Sequence, residues 1–141
     1  LNIGALAQKS ELIFPMRYFS VMHQKSAQQA WWSYRQELGF YKDSREQAKA
    51  AAFGFASVGL ETQLPYLKFF YFFGLGLISN IDAYLGSYLQ FSHDLGLTIK
   101  DARGVGFSLL FKHISNGGLN QPNLGRNACL IRFIMPIFSD G

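Results

Sequence analysis

Alternation constrains this chain more than any other feature. Over eight segments, greasy side chains alternate with small or polar ones at the period of two that a β-strand imposes. In 85–99 the odd positions are Leu85, Ser87, Leu89, Phe91, His93, Leu95, Leu97 and Ile99. The even positions are Gly86, Tyr88, Gln90, Ser92, Asp94, Gly96 and Thr98. In 32–40, Trp32, Tyr34, Leu38 and Phe40 oppose Ser33, Arg35, Glu37 and Gly39. In 129–137, Cys129, Ile131, Phe133, Met135 and Ile137 oppose Arg132. In 67–77, Leu67, Phe69, Tyr71, Phe73, Leu75 and Leu77 oppose Lys68, Gly74 and Gly76, although Phe70 and Phe72 blur the contrast. Strands are predicted at about 2–9, 11–23, 30–41, 48–61, 66–79, 84–100, 104–115 and 127–138, joined by turn-forming clusters too short to hold helices. The helix formers of 44–52 predict a short helical turn before the fourth strand.

The pattern leaves two architectures. Charged residues are only 16% of the chain, and 14 Phe, 7 Tyr and 2 Trp exceed what a soluble domain of 141 residues needs. No apolar run reaches the ~18 residues of a membrane-spanning helix. A packed soluble β protein would turn its greasy face inward, and its exterior would then be the small-plus-charged face, a poor one. A transmembrane barrel turns the greasy face to lipid and pairs Arg35, Glu37, Lys68, Gln90, Asp94, Lys112 and Arg132 inside. Closure also satisfies every strand edge. The expected fold is therefore all-β: an eight-stranded antiparallel transmembrane barrel, one domain over 1–141, with a lumen filled by side chains. Trp31, Trp32, Tyr34, Tyr66, Tyr84 and Tyr88 fall near predicted strand ends, where aromatic girdles sit. The chain opens at Leu1 and is expected to be a mature or trimmed form.

Composition excludes several roles. The single Cys129 cannot form an internal disulfide and has no His or Cys partner for a metal site; on the greasy face it reads as a small apolar filler. The net charge of +4 is scattered, with no Lys/Arg block, so nucleic acid is not an expected partner. Gly-x-Gly at 74–76 and 104–106 lacks a following helix and fits a strand bend, not a dinucleotide loop. His23 reads as a solvated turn residue, His93 as an interfacial polar tip or, less readily, a phosphate contact, and Asp101 with Arg103 as a solvated turn pair.

One motif carries chemistry. In Lys112-His113-Ile114-Ser115-Asn116-Gly117-Gly118-Leu119-Asn120-Gln121-Pro122-Asn123, a potential base and a potential nucleophile stand two residues apart, on the face of Val105, Phe107, Leu109 and Phe111. A Ser-His pair on a greasy wall fits an esterase with a lipid substrate; a polar strand end with both residues solvated fits the pair alone better.

The run His113-Ile114-Ser115-Asn116-Gly117-Gly118-Leu119-Asn120-Gln121-Pro122-Asn123, then Gly125 and a last apolar strand, resembles the PagL-type lipid A 3-O-deacylases of Gram-negative outer membranes. The likeness extends upstream through Leu85-Gly86-Ser87-Tyr88-Leu89-Gln90-Phe91 and Leu95-Gly96, and more weakly through Phe73-Gly74-Leu75-Gly76. The resemblance implies an outer-membrane barrel carrying a serine-esterase triad on its lipid-facing wall. Ser115 would be the nucleophile and His113 the general base. Asn116, Gly118 and Asn123 would lie in the substrate or oxyanion region, with Phe91 beside the site. The implied partners are lipid A or lipopolysaccharide in the outer leaflet and the membrane itself, with no cofactor or metal; a homodimer is left open.

The sequence departs from the family's pattern at the third triad member. There the family has Glu, twelve residues after the nucleophile; this chain has Asn127. An amide can hold the His tautomer but cannot stabilise imidazolium by charge; an Asp-to-Asn change in a serine protease lowers turnover by about 10⁴, there through the wrong tautomer. Slow catalysis, recruitment of another acid, or none at all are left open. Asp140 lies past the last strand and Asp94 on the opposite face. Two rivals remain: a catalytically silent outer-membrane barrel with a structural or adhesion role, and a soluble eight-stranded lipid carrier.

Overall fold

The computed structural model describes residues 2–8, 11–14, 16–26, 31–43, 50–62, 64–81 and 85–135. They form nine strands: β1 (Asn2–Gln8), β2 (Glu11–Phe14), β3 (Met16–Ser26), β4 (Trp32–Asp43), β5 (Ala51–Glu61), β6 (Leu67–Ile78), β7 (Leu89–Lys100), β8 (Gly106–Ser115) and β9 (Arg126–Ile134). One antiparallel sheet runs β2-β1-β9-β8-β7-β6-β5-β4-β3. Apart from β1 pairing β9, neighbours in the sheet are neighbours in sequence, and β2 and β3 stand at its two ends.

That break corrects the single strand expected over 11–23. Pro15 has no N–H to give a ladder. On its two sides the chain changes partner: β2 pairs with β1 and β3 with β4. The strand expected from 84 begins only at Leu89. Leu85 instead makes one bridge to Asn123 and is buried, so it leaves the outward series in which its parity placed it. The helical turn expected over 44–52 falls mostly on 44–49, outside the described residues, while Ala51 and Ala52 already belong to β5. Tyr84 and Asp140 also lie outside them.

The sheet is curled, and its buried charges show how far. In sheet order β4 stands four places from β8, about 19 Å away if the sheet were flat. Yet Lys112 Nζ on β8 lies 2.9 Å from Glu37 Oε2 on β4. Lys112 also lies 3.0 Å from Asp94 Oδ1 on β7, and Arg35 Nη1 on β4 lies 3.2 Å from Asp94 Oδ2. Arg132 on β9 reaches Glu37 at 3.6 Å. Tyr18 and Ser20 donate hydroxyls to Glu37 Oε1 at 3.0 and 2.7 Å. The Arg35 guanidinium stacks 3.7 Å from the ring centroid of Phe72. Thus Phe70 and Phe72, which blurred the alternation, are interior residues that flank a buried cation. At the margins of the sheet, β1 also lies against β3.

Outside, the wall is apolar. Leu38, Val58, Leu77, Leu95, Phe107, Leu109, Ile131 and Phe133 are exposed, Leu38 by 70% and Ile131 by 59%. Cys129 is exposed among them. This polarity is the reverse of what a soluble lipid carrier requires. Trp31, Trp32 and Tyr66 are exposed together at the end that holds the β3–β4, β5–β6 and β7–β8 turns. In the last of these turns, Asp101 Oδ1 accepts from the N–H groups of Arg103 and Val105 at 2.9 and 3.0 Å.

The interior network gives the first prediction. Glu37→Leu removes the acceptor shared by Lys112, Tyr18, Ser20 and Arg132, and is expected to cost about 3–5 kcal/mol because Lys112 and Arg132 lose a buried counter-charge. Arg103→Ala, at an exposed turn pair, is expected to stay within about 0.5 kcal/mol. Urea unfolding of the two variants in one detergent system checks both values.

Candidate active site

The β7–β8 hairpin sets the site. Residues equally distant from Arg103 face each other, so Phe91 pairs with Ser115 and His93 with His113. On the other side of β8, His113 pairs with Asn127 of β9. One outward row therefore reads Asn127, His113, His93 across three strands, and continues to Phe73 on β6. Ser115 stands in the next outward row, two residues along β8 and about 6.6 Å from His113 at the backbone.

His113 and Asn127 are joined. The Nδ1 and Oδ1 atoms lie 2.6 Å apart. An amide oxygen only accepts, so Nδ1 carries the proton and Nε2 keeps its lone pair. That is the tautomer a base needs if it is to act through Nε2. Ser115 Oγ has no hydrogen bond among the described residues. Asp94, considered above as a substitute acid, is bound to Lys112 and Arg35 inside the sheet and cannot serve His113.

The 116–125 loop is organised by Asn116, whose side chain is fully buried. Its Nδ2 donates to the Asn120 carbonyl at 2.7 Å and to the Pro122 carbonyl at 3.4 Å. Its Oδ1 accepts from Gly118 N at 3.0 Å, and its own backbone N–H donates to Asn123 Oδ1 at 3.0 Å. Gly117 and Gly118 have φ of 62° and 85°, which glycine adopts without strain and which allows this tight return. The structure thus brings Asn116, Gly118 and Asn123 together. The first two spend their polar groups on the loop, while Asn123 keeps its Nδ2 donors without a partner among the described residues. Phe91 lies under the loop and stacks on Phe73 at 6.0 Å between centroids.

Sequence reasoning gave Gly125, His93 and Tyr71 no place in this neighbourhood. Gly125 has φ 68°, and a Cβ there would lie 2.8 Å from His113 Cε1. His93 is not an isolated polar tip: its Nδ1 lies 2.7 Å from Tyr71 Oη, and its ring centroid lies 6.1 Å from that of His113. The hairpin centre at Arg103 was the signal that could have paired the two histidines.

The family model of the PagL lipid A 3-O-deacylases matches residues 17–136. The chain belongs to the PagL lipid A 3-O-deacylase family. Among solved structures it is similar to one described as the outer membrane enzyme PagL, with a TM-score of 0.66 at 20% identity, covering 97% of this chain and 100% of that one. That likeness shows a common fold. No curated protein sequence matches the chain.

Gly125→Ala is expected to push the His113 ring away from Asn127 and to lower any activity of the site at least tenfold without unfolding the protein. Imidazole NMR of His-labelled protein should show His113 perturbed and His23 unmoved.

Proposed function

We propose that this protein is a lipid A 3-O-deacylase of the outer membrane: a serine esterase that removes an ester-linked acyl chain with Ser115 and His113. The observation that carries the reading is the His113–Asn127 hydrogen bond on an outward, apolar wall beside Ser115. The chain forms a single domain, in which β2 and β3 act as one stave interrupted at Pro15. β1 then joins that stave to β9, and eight staves close a transmembrane barrel. The ladders β1–β2, β3–β4 and β1–β9 and the contact of β1 with β3 support this closure. The apolar exterior supports burial in lipid, with the exposed tryptophans at the end away from the site.

His113 Nε2 takes the Ser115 hydroxyl proton as Oγ attacks the ester carbonyl. Asn123 Nδ2, whose direction is fixed because its Oδ1 accepts from Asn116 N, donates to the developing oxyanion. Asn116 and Gly118 hold the loop that presents it. As the ester C–O bond breaks, imidazolium returns the proton to the sugar oxygen. Water, deprotonated by His113, then frees the fatty acid from Ser115. The departing chain lies along Phe91, Phe73 and the wall below.

Asn127 orients the imidazole without charge. Asn127→Asp places a carboxylate at nearly the same atoms and is expected to raise the initial rate at least about tenfold, since one charged hydrogen bond contributes roughly 1.5–3 kcal/mol. Ser115→Ala and His113→Ala are expected to abolish acyl release while the barrel stays folded. Mass spectra of lipid A from cells with and without the protein test the activity directly. Unchanged lipid A would favour the rival reading, a catalytically silent barrel with a structural or adhesion role, for which the missing carboxylate at 127 speaks. Leu109→Arg tests the membrane placement: on a lipid-facing wall it should destabilise the bilayer-inserted protein by about 2–4 kcal/mol, and on a water-facing wall it should cost nothing.

A further inference from the structure

Two polar side chains stand on the apolar wall without a task in the reaction above. Tyr71 is exposed and His93 half-buried, both well inside their strands and away from the aromatic girdle. Their mutual bond satisfies Tyr71 and one nitrogen of His93. The other nitrogen, Nε2, has no hydrogen-bond partner among the described residues. A polar atom left open on a lipid-facing wall is costly and points to a function.

Position restricts its ligand. His93 is the diagonal neighbour of Ser115, about 7–8 Å away at the backbone, and shares a row with His113. Tyr71 lies opposite Leu95, one outward row further from the 116–125 loop. Both thus stand on the hydrocarbon side of Ser115, where the acyl chain of a bound ester must run. Headgroup phosphates would lie on the other side, with the loop. Phe73 packs edge-on against His93 at 5.1 Å and Phe91 stacks on Phe73, so the open nitrogen sits in an otherwise greasy track. If Tyr71 donates to Nδ1, Nε2 is a donor; if Tyr71 accepts, Nε2 is an acceptor. A hydroxyl satisfies either case.

Building on the deacylase reading, we propose that His93, held by Tyr71, is a specificity-determining residue that recognises a hydroxyl on the acyl chain a few carbons from the ester carbonyl. A plain chain would leave Nε2 unsatisfied beside it.

The test uses the purified full chain in detergent and two lipids that differ only in the scissile acyl group: a 3-hydroxyacyl ester and the unsubstituted ester of equal length. The wild type should cleave the hydroxylated ester about tenfold faster or more, the scale of one hydrogen bond in a dry site. His93→Phe should bring the ratio of the two rates near one, and Tyr71→Phe should reduce it; His93→Gln, which keeps a hydrogen-bonding head, should retain part of it. A wild type indifferent to the hydroxyl, or a His93→Phe protein with an unchanged ratio whatever its absolute rates, overturns the proposal. A second readout needs no turnover. In His-labelled Ser115→Ala protein, the hydroxylated lipid should shift the His93 ring resonances and the plain lipid should not. No difference between the lipids overturns the proposal. A selective His93 shift in a protein whose wild type cleaves neither ester overturns the deacylase reading and leaves hydroxyl recognition standing.

Discussion

Lys112 is the point on which the architecture turns. It is 1% exposed, and it binds carboxylates from two other strands at about 3 Å. Buried ion pairs are weak evidence of net stability, because desolvating the ions offsets most of their attraction. Their value here is geometric. No flat sheet could satisfy Lys112, Glu37 and Asp94 at once, so the charges specify a curled sheet and the faces that turn inward. With parity fixed at Lys112, His113 must point out, Ser115 must follow it, and their cross-strand partners Asn127 and Phe91 must join them. The same alternation that hides the cation displays the candidate site.

Much of this was legible in the sequence, for a physical reason. A strand has only two faces, so parity alone sorted Arg35, Glu37, Gln90, Lys112 and Arg132 from Phe107, Phe111, Ile131 and Phe133, and the structure places each set as parity requires. Parity put His113 and Ser115 on one face, while the roles of Asn116, Gly118, Asn123 and Asn127 came only from the family resemblance. The failures lie where parity does not govern. Leu85 left its series because Gly86 is pressed against the backbone of Gln121 and Pro122, a contact between distant segments. Phe70 and Phe72 looked misplaced because their role, flanking Arg35, depends on a residue more than thirty positions earlier. His93 was undervalued because one strand read by itself does not reveal its register against the next.

The loop after Ser115 shows how little material a site of this kind needs. Asn116 turns one buried amide into four hydrogen bonds to the loop around it, counting its backbone N–H. Rigidity comes from satisfied polar groups, since the loop's own apolar residues Leu119 and Leu124 are exposed. Asn123 is held by the bond to its Oδ1, which in the mechanism we propose aims its Nδ2.

The amide at 127 has a consequence beyond rate. A carboxylate on a wall immersed in hydrocarbon is an ion out of water even when nothing is bound, and every folded molecule would carry that cost. Asn127 holds the His113 ring with an amide and adds no charge of its own to the wall. In the outer-membrane setting we propose, such a wall gives passing lipids no fixed charge to linger on, and it inserts without dragging water to the site. The wall would thus be polar at the site and yet free of a fixed anion at position 127.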